Sequence, residues 1–291
     1  MGSFGGHVLA GSFFIFFAIW WTVQMFHRHL ISLRRKIPFR STVTYPCTCL
    51  CGKLQEWPIE GFLKFAFTFL GGLLEVITGT SNGKFVVLVN GQHATSYFFY
   101  ALSGLFDLLM YYRVSWIPDD LDWIISLVAV GVEGLLLYFH LHGRSILDVH
   151  IHMLLVYTIL LNILAICFEI RFRHSLLAAL GRAYFFFLQG TWLWQIAFII
   201  YDPDPNAEKW KGDDHDELMI ATMFFAWHVG AVLFVMLAIG AAVSYFHQRQ
   251  KGIRNEEAES KHLKKLHYDG QFLNSDDDTE SDIEFQTLIT K

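Results

Sequence analysis

The chain has 291 residues, of which 54% are hydrophobic and only 17% charged, with 28 Phe, 9 Trp and 11 Tyr. Soluble domains carry about a quarter charged residues, so this composition and a mean hydropathy of +0.37 exclude an ordinary soluble protein and point to a polytopic membrane protein. The formal net charge of −5 averages basic segments with an acidic tail, and four cysteines are too few for a disulfide scaffold.

A membrane-crossing helix needs about 20 mostly apolar residues. In chain order the pattern predicts seven spans, over about 8–26, 61–79, 93–113, 121–140, 147–169, 175–201 and 217–246. The separators are polar. A basic loop runs over 27–60, a Gly/Asn turn over 80–92, and an acidic loop over 202–216. Pro118-Asp119-Asp120 opens the fourth helix and Gly143 is expected at its C-terminal turn. The expected fold is all-α: a seven-helix transmembrane bundle over residues 1–246, followed by a disordered tail, 247–291, first basic and then acidic.

Lys and Arg fix the expected orientation. Arg28, Arg34, Arg35, Lys36, Arg40, Lys53, Arg113, Arg171, Arg173 and the tail share one side, against Lys84, Arg144, Lys209 and Lys211 on the other. The C-terminus is therefore expected in the cytosol and the N-terminus in the lumen or outside, with the first span an uncleaved signal anchor.

Ionisable groups inside spans cost about 2.5 to 3.5 kcal/mol at a helix centre on insertion scales, so their placement carries information. The luminal half is expected to hold His7, Glu75, His93, Glu133, His140, His142, Asp148, His150, His152, Gln195 and His228. In the cytosolic half Asp107 is the main deep acid, and that half reads as sparse. Glu133 and His140 lie two turns apart on one helix face, and Asp148 and His152 one turn apart. Imidazoles with nearby carboxylates are ligands for zinc or a similar divalent metal. His140, His152 and His228 are the first candidates, with His7, His93, His142 and Glu75 as further ones. Asp148 and Gln195 would orient the ligands, and Glu133 would be the general base. A metal-activated water there would make the protein a membrane-embedded hydrolase of a lipid or acyl substrate.

Other readings stay open. The same side chains suit an ion- or proton-coupled transporter or a metal-free polar network, and the tail suits a non-catalytic trafficking adaptor. A lone His at a helix end, such as His7 or His93, also serves simply as an interfacial group. His150 and His215 are expected off the site. Cys47, Cys49 and Cys51 are candidates for lipidation or plain reduced thiols, and Ser275, Thr279 and Ser281 for acid-directed phosphorylation. The pairs Trp20-Trp21 and Trp192/Trp194 are assigned to packing and interfacial belts. Expected partners are membrane lipid, a second copy of the chain and cytosolic trafficking proteins reached through the tail. No motif points to nucleic acid.

Gly6-His7, His140-Leu-His142-Gly143-Arg144 with Leu147-Asp148 and His152, Leu188-Gln189-Gly190-Thr-Trp192 with Gln195, and Trp227-His228 together resemble the transmembrane protein 45 family over about residues 1–246. The resemblance implies a multi-span protein of Golgi, endosomal or plasma membranes. It also implies importance for His140, His142, Asp148, His152 and His228. It implies no reaction. The cysteine-bearing loop and the acidic tail fall outside its pattern.

Overall fold

A computed structural model describes residues 3–46, 57–141, 143–206 and 209–250. They form seven helices: α1 (Phe4–Arg35), α2 (Ile59–Thr78), α3 (Leu88–Tyr111), α4 (Leu121–Phe139), α5 (Ile146–Arg171), α6 (Leu176–Tyr201) and α7 (His215–Gln250). The elements lie within a few residues of those expected from hydropathy. Residues Met1–Ala241 form one compact unit and Ala242–Lys291 a second, of which only the last turns of α7 are described. Cys47, Cys49, Cys51, His142, Ser275, Thr279 and Ser281 lie outside the described residues.

Six of the helices are long and apolar enough to cross a membrane; α3 is the exception. Its Asn90, Gln92, His93, Thr95, Ser96, Ser103 and Asp107 dilute its hydropathy. Several of those residues turn inward onto the polar interior described below.

Local chemistry sets the helix ends. Ser3, Ser145 and Ser175 cap α1, α5 and α6, each accepting a backbone N–H from three residues on, which satisfies a donor the helix leaves unpaired. α2 and α3 are joined by a short antiparallel ribbon, β1 (Thr80–Ser81) and β2 (Lys84–Phe85). Asn82 and Gly83 turn it at φ 50° and 71°, the conformation that selects Asn-Gly. α4 ends at Phe139, one residue before the expected 140. His140 is its C-cap and Gly143, at φ 79°, sits in the following turn rather than directly after the helix.

α1 packs most extensively on α6, and α2 on α3. At the α1–α6 crossing a Cβ on Gly11 would lie 2.7 Å from the Gly190 carbonyl oxygen, and the reverse distance is the same. Only residues without a side chain permit that approach. α7 lies against α5 and α6, with Phe225 edge-on to Trp192, His150 Nε2 2.8 Å from Thr222 Oγ1, and Tyr184 donating to the Val229 carbonyl.

The helices alternate in direction. One end of the bundle gathers the starts of α1 and α5 and the ends of α2 and α4; we call it the histidine end. The other is the basic end. There the segment after α1 folds back, with Phe39, Val43 and Tyr45 buried.

Candidate functional site

At the histidine end six helices enclose a cavity of about 120 Å³. His7, Glu75, His93, Glu133, His140 and His152 all line it. These residues come from α1, α2, α3, α4, the α4 cap and α5, so the fold joins groups up to 145 positions apart. Ring centres lie 5.9 Å apart for His7–His152, 5.5 Å for His93–His140 and 6.5 Å for His140–His152.

Each ring is oriented by a partner. His152 Nδ1 lies 2.7 Å from Asp148 Oδ1 and 2.9 Å from the Asp148 carbonyl. His7 Nδ1 faces the Ser3 carbonyl at 3.0 Å, and His93 Nδ1 lies 3.3 Å from Glu75 Oε1. Such oxygens accept, so Nδ1 carries a proton and, in the neutral ring, the lone pair is on Nε2. His140 differs. Its Nδ1 meets Gln92 Oε1 at 2.6 Å while Arg144 donates to its Nε2. Arg144 also grips both oxygens of Asp148, at 2.9 and 3.1 Å. Burial, and then the Arg144 guanidinium, hold the His140 imidazole down at about 3.

The residues as placed do not fit a resident metal. Three imidazoles on one tetrahedral zinc would bring their ring centres to about 5 Å, from metal–nitrogen bonds of about 2 Å; these rings are wider apart. Both nitrogens of His140 are engaged. Among the described residues no group of three or more His, Cys, Asp or Glu is arranged to hold a metal ion. His228, expected as a ligand, is outside the cavity: it packs on Trp192 at 5.6 Å between ring centres, with Nε2 3.4 Å from Gln195 Oε1. The reason is rotational, since α7 turns that position onto Trp192 and Gln195 of α6. Gln195 follows His228 and does not reach the other imidazoles.

Glu133 marks the floor. Its Oε2 accepts from the Tyr100 hydroxyl at 2.6 Å and from Gln189 Nε2 at 3.3 Å. Asn162 in turn donates to Gln189 Oε1 at 3.0 Å. Both partners of Glu133 are neutral.

Beneath Tyr100 lies a second, smaller cavity of about 20 Å³, enough for roughly one water molecule. Tyr100 and Phe13 line both cavities. Here the expectation of a sparse half is corrected. Lys64 Nζ donates to Asp107 Oδ2 at 2.8 Å and to Ser103 Oγ at 2.7 Å, and Ser103 meets Ser126 at 2.9 Å. Asp107 Oδ1 and Asn162 Oδ1 are buried acceptors without a hydrogen-bond partner among the described residues. Further toward the basic end Arg182 pairs with Glu169 at 2.7 Å and donates to the carbonyls of Val43 and Thr42. Its guanidinium lies over Trp21 at 4.4 Å. Glu60 accepts from Trp20 at 2.8 Å, Trp21 at 2.6 Å and the Tyr45 amide at 2.7 Å. The Trp20-Trp21 pair therefore serves a buried carboxylate, and Trp21 also packs edge-on to Phe186, as expected of a packing residue. Burial pushes the Tyr45 phenol well up, with the Arg182 cation opposing.

Sequence reasoning missed Lys64, Glu169 and Arg182 as a buried set because each lies within three turns of a span's basic end, where charge is ordinary. Pairing partners on other helices give them away, and no linear pattern records those.

The model of a family described as a family of unknown function, DUF716, matches residues 119–241. Transmembrane epididymal protein 1A of Mus musculus is 26% identical over 265 residues, covering 85% of this chain and 83% of that one. Transmembrane epididymal protein 1 of Rattus norvegicus is 24% identical over 262 residues, with 85% and 83% covered. The Homo sapiens protein of the same name is 25% identical over 231 residues, covering 72% of this chain and 81% of that one. The chain is thus an integral, multi-pass membrane protein similar to proteins of unknown function. These matches do not single out the transmembrane protein 45 family.

Proposed function

We infer that the protein is a proton-coupled membrane carrier, in which the histidine chamber receives the transported species and Glu133 holds the coupling proton. The observation that carries this reading is the position of Glu133. It faces the chamber with only neutral partners, and its phenol partner Tyr100 also lines the second cavity. A carboxylate in a membrane interior is unfavourable without a compensating charge, so it takes up either a proton or a cation, and the two exclude one another. The Lys64–Asp107 pair and the Arg182–Glu169 pair extend the polar interior toward the basic end. The Lys and Arg bias supports a cytosolic basic end. A metal-dependent hydrolase is less well supported, because the imidazoles do not gather on one point.

The test follows internal pH with a pH-sensitive dye in proteoliposomes, against protein-free vesicles, on addition of small cationic, neutral and anionic solutes across a pH step. One solute class should move protons at a rate set by the pH step, and Glu133→Gln should abolish that movement. Folded protein that moves no protons with any class and any step would remove the carrier reading.

A further inference from the structure

The groups that line the histidine chamber also define a ligand. His7, His93 and His152 each commit Nδ1 to an oxygen acceptor, which leaves each an accepting Nε2. Glu133 and Glu75 add carboxylates. The one guanidinium at this wall among the described residues, Arg144, is engaged by Asp148 and His140. Asp148 answers Arg144 outside the lining, so the two lining carboxylates, Glu75 and Glu133, face no Lys or Arg among the described residues of the chamber lining. The remaining wall is apolar and aromatic, with Phe13, Phe14, Tyr97 and Leu155. Aromatic faces and carboxylates together favour a cation that carries an apolar body.

We propose that the chamber binds a small organic ammonium ion, its head group taken by Glu133 and the imidazole acceptors and its body by Phe13, Phe14 and Leu155. The inner volume of about 120 Å³ is below the roughly 150 Å³ that takes up benzene, so the chamber houses a short alkyl amine whole and a benzyl group with part of its ring in the open mouth. An anion would meet like charge. A neutral ligand would leave the carboxylates uncompensated. The assignment names the cargo of the carrier inferred above and rests on that reading for transport, though not for binding.

The experiment is calorimetric titration of the full-length protein in detergent with benzylamine, benzyl alcohol, phenylacetate and zinc chloride. Benzylamine should saturate at one per chain and bind at least tenfold more tightly than benzyl alcohol, and phenylacetate should not compete. Glu133→Gln should weaken benzylamine at least tenfold; if that variant does not fold, Glu75→Gln should weaken it severalfold. Equal affinity for the alcohol, preference for phenylacetate, no benzylamine binding, or displacement of benzylamine by one tightly bound zinc would each overturn the assignment. Benzylamine binding without solute-driven proton movement in liposomes would keep the ligand and remove the carrier. Proton movement driven by another solute class without benzylamine binding would do the reverse.

Discussion

The Tyr100 hydroxyl lies 2.6 Å from Glu133 Oε2, and the ring that carries it lines the cavities on both sides. One phenol therefore both satisfies the chamber carboxyl and separates the histidine end from the interior beneath it. Tyr100→Phe keeps the ring and removes the donor. Loss of a hydrogen bond to a charged group costs about 1.5 to 3 kcal/mol. Thermal unfolding in detergent should show a modest loss of stability, and solute-driven proton movement in proteoliposomes should fall by tenfold or more. Unchanged proton movement would show that the phenol only seals.

Arg182 is the keystone of the basic end. Removing one member of a buried ion pair costs about 3 to 5 kcal/mol because the partner's charge is stranded. Arg182→Ala should therefore lose most of its folded protein, as measured by monodisperse yield and unfolding temperature. The double variant Arg182→Met/Glu169→Met should recover much of that loss. If the double variant is as poor as the single one, the carbonyls of Thr42 and Val43 matter more than the charge pair.

Gly190 meets the α1 backbone directly. A valine there must push the two helices apart, at a cost of about 1 to 3 kcal/mol. A Cβ on Gly131 would meet nothing within 4 Å, so Gly131→Ala should be neutral or stabilise by up to about 1 kcal/mol. Unfolding midpoints of the two variants measure the contrast directly.

His140 should stay neutral, with its proton on Nδ1, because its Nε2 accepts from Arg144. A ring whose folded value is lowered from 6.5 to about 3 binds fewer protons when folded than when unfolded. Its contribution to stability is present above about pH 6.5 and declines as the pH falls toward 3. Nitrogen NMR of labelled histidine should show no titration of this ring between pH 5 and 8. A midpoint near 6.5 would mean that the Arg144 contact does not persist.

His228 should be dispensable for the chamber. His228→Ala is expected to leave benzylamine affinity within twofold of wild type while loosening α7 against Trp192. A tenfold loss would return His228 to the site.

Much of the bundle was legible in the sequence. Apolar length placed the helices and the Gly/Asn run over 80–92 marked one joint, whereas the serine caps emerged only with the structure. Depth along each span was enough to anticipate that His7, Glu75, His93, Glu133, His140 and His152 share one end. Rotation about each helix axis was not legible. It is set by packing between helices, which is why His228, at a suitable depth, faces away. The interior beneath Tyr100 was hidden for a related reason. Lys64 and Arg182 look like ordinary charges near a span's end until Asp107 and Glu169 are found across from them on other helices.

The helices differ widely in reach. At the standard rise of 1.5 Å per residue, the 19 residues of α4 and the 20 of α2 extend about 28 to 30 Å, whereas the 32 of α1 reach about 48 Å. A thick bilayer therefore strains α2 and α4 before it affects α1, and those two short helices carry Glu75 and Glu133. Chamber ligand affinity is therefore expected to vary with the acyl-chain length of the lipids around the protein.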